Sequence, residues 1–326
     1  MIKFQDLLRA MKEYYEKKYK DKRTANATEM EKCPKIVVLH TEETLSSKYN
    51  YNFLYEKAQP VHGTYWNDVK VTKRGMDGVF GCKISNLKQA PPLKRQNLLE
   101  EDGYKVLTFL KNNNHPNILN IFDFFLCGDK FFLFHELIPE ILDTYVEARG
   151  KLAEFRARQI AHDVGEGLLF LHSNAISHRN LHERSVFIDR VNRVAKLGNF
   201  EFCKIYWLPE KQQVKPFKPV HSNSSPYIAP EEKQSAPYDV NKSDIWMWGA
   251  LVSYMLCSEY PPSSDFEKFR ISKLSSVSEE CVKLLNRCLE QSPSARPDMY
   301  DILSDAWFEV YTTVISNPES IVVHDY

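Results

Sequence analysis

The chain lacks paired cysteines. Its seven, Cys33, Cys82, Cys127, Cys203, Cys257, Cys281 and Cys288, are scattered, odd in number and form no C-x-x-C pair. That spacing excludes a disulfide framework and argues against structural zinc, so a reducing compartment fits better. Neither sign of charge is in excess: 43 basic residues face 43 acidic ones, for a net charge of +0. Such a balance exerts no general pull toward nucleic acid or a membrane surface. No apolar run of about 18 residues exists to form a membrane span. The opening MIKFQDLLRAMKEYYEKKYK is charged throughout, so no secretory leader is expected. The sequons Asn26-Ala-Thr28 and Asn223-Ser-Ser225 are then read as chance. These absences point to the cytoplasm.

What is present is a chain of 326 residues with 43% hydrophobic content, enough for one large two-lobed domain. Phe4, Leu7, Leu8, Met11, Tyr14, Tyr15 and Tyr19 make one apolar helical face over 2–19. Such a face packs on its own domain or docks a partner. The polar stretch 20–34 reads as a connector. Short strand signals follow at 36–39, around 65–71 and at 79–84, with a turn at Gly75-Met-Asp-Gly78. A helix is expected over 94–111 and strands over 118–126 and 131–137. After Pro139 the pattern changes to helices at 140–150, 153–173, 241–258, 278–290 and 298–308. Strands first and helices after suggest two lobes.

Several separated segments carry more specific information. His178-Arg-Asn-Leu181, Asn199-Phe-Glu201, Ala229-Pro-Glu231, Ser243-Asp-Ile-Trp-Met-Trp-Gly249 and Arg296-Pro297 follow one another along the chain, with His115-Pro-Asn-Ile118 ahead of them. Together they resemble the H-R-D-L, D-F-G, A-P-E, S-D-x-W-x-x-G, R-P and H-P-N-I motifs of protein kinases. The wording HRNLHERSVFID and CLEQSPSARP is similar to tyrosine-kinase-like sequences. The resemblance implies an α+β fold, the bilobal protein kinase fold, with a small β-rich N-lobe and a larger α-helical C-lobe. It implies an N-terminal extension over 1–50, an N-lobe over 51–137, a C-lobe over 138–312 and a tail over 313–326. Leu107, Ile121, Phe200 and His178 would form the packed column of such a fold, anchored by Asp244. Glu231 would pair with Arg296 as a structural ion pair.

The same resemblance marks what phosphoryl transfer would need and does not find. The place of the catalytic aspartate holds Asn180, an amide with no basic site at neutral pH. The metal-binding places hold Asn199 and Ser185, weaker ligands for a hard cation. The D-F-G glycine is Glu201, which adds bulk and a repelling charge near the phosphates. The glycine-rich loop keeps Gly63 but has Ala58 and Pro60 at its other two places, and proline lacks an N–H. Lys83 matches the strand lysine that pairs the phosphates. Its partner glutamate would fall at Gly103, with Glu100 one turn away as a substitute. Gly81, Phe187 and the gatekeeper His135 surround the adenine place, where Phe187 and His135 would fill space a base would use.

The remaining residues suggest regulation. Arg179 would dock a phosphate on Ser222, Ser224 or Ser225 of the activation segment, or make bonds internal to the fold. His172, His178 and His182 are read as packing residues and no metal is expected. The expectation is therefore a catalytically inactive pseudokinase with no cofactor, regulating another protein such as a protein kinase or a component of its pathway. The alternatives are a nucleotide-binding switch holding ATP at Lys83, and an atypical active kinase or transferase.

Overall fold

The computed structural model describes residues 4–54, 66–100, 102–217, 226–234, 236–262 and 273–308. Ala58, Pro60, Gly63, Glu101, Ser222, Ser224, Ser225 and the 313–326 tail lie outside them. The chain divides into two compact units, the first of residues 1–139, 173–176 and 198–213, the second of 140–172, 177–197 and 214–326.

The first unit is built on a six-stranded sheet. Its strands are β1 (Val38–Leu39), β2 (Tyr51–Leu54), β3 (Trp66–Lys73), β4 (Met76–Asn86), β5 (Ile121–Cys127) and β6 (Lys130–Glu136), in the order β1-β5-β6-β4-β3-β2. Residues 131–135 of β6 are all buried, as a central strand covered on both faces requires. The expected turn closes earlier than Gly78: Lys73 pairs with Met76, so Arg74 and Gly75 alone make it. Gly75 sits at φ +85, where a side chain would be strained. Strand β2 carried no signal in the sequence. It is four residues long and takes its shape from pairing with β3 at the sheet edge. Tyr51, Val71, Cys82, Phe125, Phe132 and Phe134 form the core on one face, with the Tyr51 and Phe134 rings stacked at 3.7 Å.

Helix α1 runs Phe4–Glu31, through the stretch expected to be a connector. Its polar residues find tertiary partners inside the first unit, which is why polarity alone misread them. Trp207 Nε1 donates to Thr24 Oγ1 at 3.0 Å, and Asn26 Nδ2 donates to Asn174 Oδ1 at 2.6 Å. The Arg23 guanidinium lies over the Tyr206 and Trp207 rings at 5.9 and 5.7 Å. Ala27 and Met30 are buried. After α2 (Glu43–Ser47), the helix expected over 94–111 is two helices, α3 (Pro92–Glu100) and α4 (Gly103–Asn112).

The second unit holds α5 (Leu142–Arg149), α6 (Glu154–Ser173), α7 (Val240–Cys257) and the helices Glu279–Cys288 and Met299–Leu303. Helix α7 is apolar nearly all round, the signature of a buried central helix. Trp248 Nε1 donates to the Ala161 carbonyl of α6 at 3.1 Å. The expected ion pair is formed: Arg296 Nη1 and Nη2 donate to Glu231 Oε1 and Oε2 at 2.6 and 2.7 Å, with both residues buried.

Candidate active site

In the first unit, β4 turns Lys83 inward, leaving it 8% exposed. Its Nζ donates to Asn199 Oδ1 at 2.9 Å and forms an ion pair with Glu201 Oε1, also at 2.9 Å. The Trp66 ring from β3 covers the ammonium, its centroid 4.8 Å away. Glu201 is almost fully buried, and the Lys83 ammonium offsets its charge. Asn199 adopts the left-handed conformation at φ 60, which asparagine tolerates better than most side chains. It swings the following turn, Phe200–Phe202, so that Glu201 faces the lysine.

Among the described residues the ion-pair partner is Glu201, and the Glu100 side chain lies outside them. Gly103 opens α4 so close to α3 that a Cβ there would lie 2.8 Å from Leu98 Cα and 2.9 Å from the Asn97 carbonyl. No glutamate fits that place without displacing the backbone. Read together, a glycine where glutamate is expected and a glutamate where glycine is expected form a reciprocal exchange. That pairing was visible in the sequence, where Glu201 counted only as bulk and repulsion.

His135 pairs across the sheet with Gly81, and a Cβ at Gly81 would meet the imidazole Cε1 at 2.5 Å. The ring occupies the space of that missing side chain. Burial pushes its pKa down, and its Nδ1 lies 2.7 Å from the Glu136 carbonyl. Phe187 belongs to the second unit, on the strand Val186–Asp189, where it is half-buried and bridges to Ile141.

In the second unit, Asp244 organises the loop His178–Leu181. It accepts hydrogen bonds from the backbone N–H groups of His178 and Arg179 at 2.8 and 2.7 Å, and from the Ser177 hydroxyl at 2.8 Å. The His172 ring Nε2 lies 2.9 Å from the same carboxylate. Burial pushes the Asp244 carboxyl up, but these bonds and the nearby His172 and His178 outweigh it and hold it below the usual range. Asn180 stands on this loop, its amide 3.3 Å from His182 Nε2, and Tyr227 donates its hydroxyl to Asn180 Oδ1 at 3.5 Å. The Ser185 hydroxyl is bound to the His182 backbone, donating to its carbonyl at 2.7 Å and accepting from its N–H at 2.9 Å. Serine at this place therefore closes a turn. Among the described residues no three His, Cys, Asp or Glu side chains gather as a metal site.

Arg179 is committed internally as well. Its Nη2 donates to the Tyr238 hydroxyl at 3.2 Å, which in turn donates to Glu232 Oε2 at 3.2 Å. Burial raises the Glu232 pKa to about 7, against the pull of Arg179. The serines expected to supply a phosphate to Arg179 lie outside the described residues.

A sequence profile of the protein kinase domain matches residues 62–308. Testis-specific serine/threonine-protein kinase 3 of Mus musculus is 27% identical over 213 residues, which cover 62% of this chain and 77% of that kinase. Serine/threonine-protein kinase kin-29 of Caenorhabditis elegans is 26% identical over 235 residues, 69% of this chain and 27% of the relative. Serine/threonine-protein kinase SIK1 of Mus musculus is 26% identical over 233 residues, 67% and 28%. The match thus spans about a quarter of the last two relatives. All three carry serine/threonine names, so the tyrosine-kinase-like cast of the motifs finds no counterpart in them.

These matches overturn the expectation that the chain is not an enzyme. That expectation rested on counting missing side chains, whereas the relatives that share this domain are named as kinases. The count also missed the carboxylate that Glu201 brings to Lys83. The sheet-based unit and the helical unit are those of the bilobal kinase fold, and the chain belongs to the protein kinase domain family.

Proposed function

We propose that the chain is an atypical phosphotransferase of the kinase family, binding a nucleoside triphosphate at Lys83 and phosphorylating serine or threonine on a protein substrate. The observation that carries this reading is the buried cluster of Lys83, Glu201 and Asn199. Lys83 supplies the cation that phosphate oxygens need. A magnesium ion is the metal that the family implies, and one carboxylate with the phosphates themselves suffices to hold it. Glu201 and Asn199 offer the hard oxygen donors, and the ion when bound neutralises phosphate charge. Phosphoryl transfer is mostly positioning and charge neutralisation, with little proton transfer early in the step. The place of the family's base holds Asn180, whose amide cannot take a proton. The absent base slows turnover by about 10²–10⁴-fold, so the activity calls for a radiolabel assay. Free thiols at all seven cysteines suit a reducing compartment, and the cytoplasm is the one proposed.

The test is transfer of the γ-phosphate of ATP, with magnesium, to the chain itself or to a general protein substrate. Incorporation that is lost on Lys83→Ala is expected. No incorporation, with no thermal stabilisation by magnesium and ATP, would sink the proposal.

A further inference from the structure

We propose that Asn97 is a positioning residue that holds Glu201 against Lys83, taking over the orienting role that the helix cannot fill at Gly103. The inference rests on the reading of Lys83 and Glu201 given above. Asn97 lies on α3 and is 4% exposed. Its Nδ2 donates to the Glu201 carbonyl at 2.9 Å and to the Cys203 carbonyl at 3.1 Å. One amide group thus ties two carbonyls of the same turn and sets the direction in which the Glu201 side chain leaves the backbone. The Asn97 Oδ1 is buried with no partner among the described residues. A buried orphan acceptor costs free energy, so Asn97 is a poor choice for packing alone. Its contribution lies in the two bonds it donates.

The elbow between α3 and α4 explains why Asn97 can reach. Gly103 lets α4 start against Asn97 and Leu98, at distances no side chain would permit. Asp102, at the same elbow, accepts a bond from the Ile205 N–H at 3.2 Å, holding the segment just beyond Cys203. The glycine that removes the helix glutamate therefore also brings α3 into the position from which Asn97 orients the replacement.

The experiment reads Lys83 directly and needs no nucleotide. The full chain is treated with a limiting amine-acylating reagent, and the labelling rates of Lys83 and Lys73 are followed by peptide mass spectrometry. Lys73 is ion-paired to Asp123 in the same unit and serves as the internal control. Asn97→Ala and Glu201→Gln are each expected to raise the Lys83 rate about tenfold, with Lys73 unchanged. In a Glu201→Gln background, Asn97→Ala should add nothing further, a non-additivity that general loosening would not produce. Asn97→Asp, equal in size but repelled by both carbonyls, should reproduce the effect if the alanine variant does not fold. An unchanged Lys83 rate, an equal rise at Lys73, or additive effects would overturn the inference. Stabilisation by magnesium and ATP, measured on the parent and on Lys83→Ala, separately tests the phosphotransferase reading, so either can fail without the other.

Discussion

Asp244 and Glu201, each at a motif loop of its unit, are buried carboxylates satisfied in different ways. Asp244 of the second unit is fully buried and is met by two backbone N–H groups, a hydroxyl and an imidazole. Glu201 of the first unit is 2% exposed and pairs with the Lys83 ammonium. A carboxylate surrounded by backbone donors shapes a loop, and its energy is spent on structure. A carboxylate paired with a lysine ammonium holds a charge that a ligand can exchange. The family pattern survives unaltered at the first kind of place and is rewritten at the second.

The comparison breaks most visibly at Asp244. Asp244→Ala leaves four donors facing an empty space and should cost about 4 kcal/mol in urea unfolding. A loss under about 1 kcal/mol would mean that the loop does not depend on it. A pH series gives the next largest effect. Glu232 has its pKa raised to about 7 from 4.5 by burial, so the folded chain binds its proton more tightly than the unfolded chain does. Stability should therefore fall as pH rises from about 4.5 to 7 and stay reduced above that, by about 3 kcal/mol from this group. Glu232→Gln should abolish that slope, and a variant with the parent's pH dependence would exclude Glu232 as its origin.

Two smaller changes sharpen the picture of the first unit. Gly103→Ala places a methyl on the Leu98 backbone and should cost about 2 kcal/mol, with the Lys83 labelling rate rising alongside. A neutral Gly103→Ala would show that the elbow has room. Thr24→Val removes the acceptor of the Trp207 indole and should cost about 1 kcal/mol. If it costs nothing, α1 is held by Ala27, Met30 and the Arg23 contacts alone.

Legibility in the sequence followed how local each signal is. The buried run of β6, the apolar helix α7 and the Glu231–Arg296 pair were readable because composition and motif spacing report burial directly. The edge strand β2 was not, since its pairing with β3 is set by residues about twenty positions away. Residues 20–31 looked like a connector because Thr24 and Asn26 are polar, and their partners Trp207 and Asn174 are far along the chain. At the site, Lys83, Asn180, Ser185 and Asn199 were all found by motif. Their roles were harder to assign, because Glu201 and Asn97 act through contacts more than one hundred positions apart in sequence.

By itself the sequence determined the change from strands to helices along the chain and the kinase family. Periodicity and motif spacing are properties of the chain read in one dimension. Only the tertiary structure decided which carboxylate serves Lys83, what fills the space beside Gly81 and where α1 rests. Those outcomes depend on the direction of side chains brought together by packing. A steric limit such as the one at Gly103 exists only once two helices are already in place.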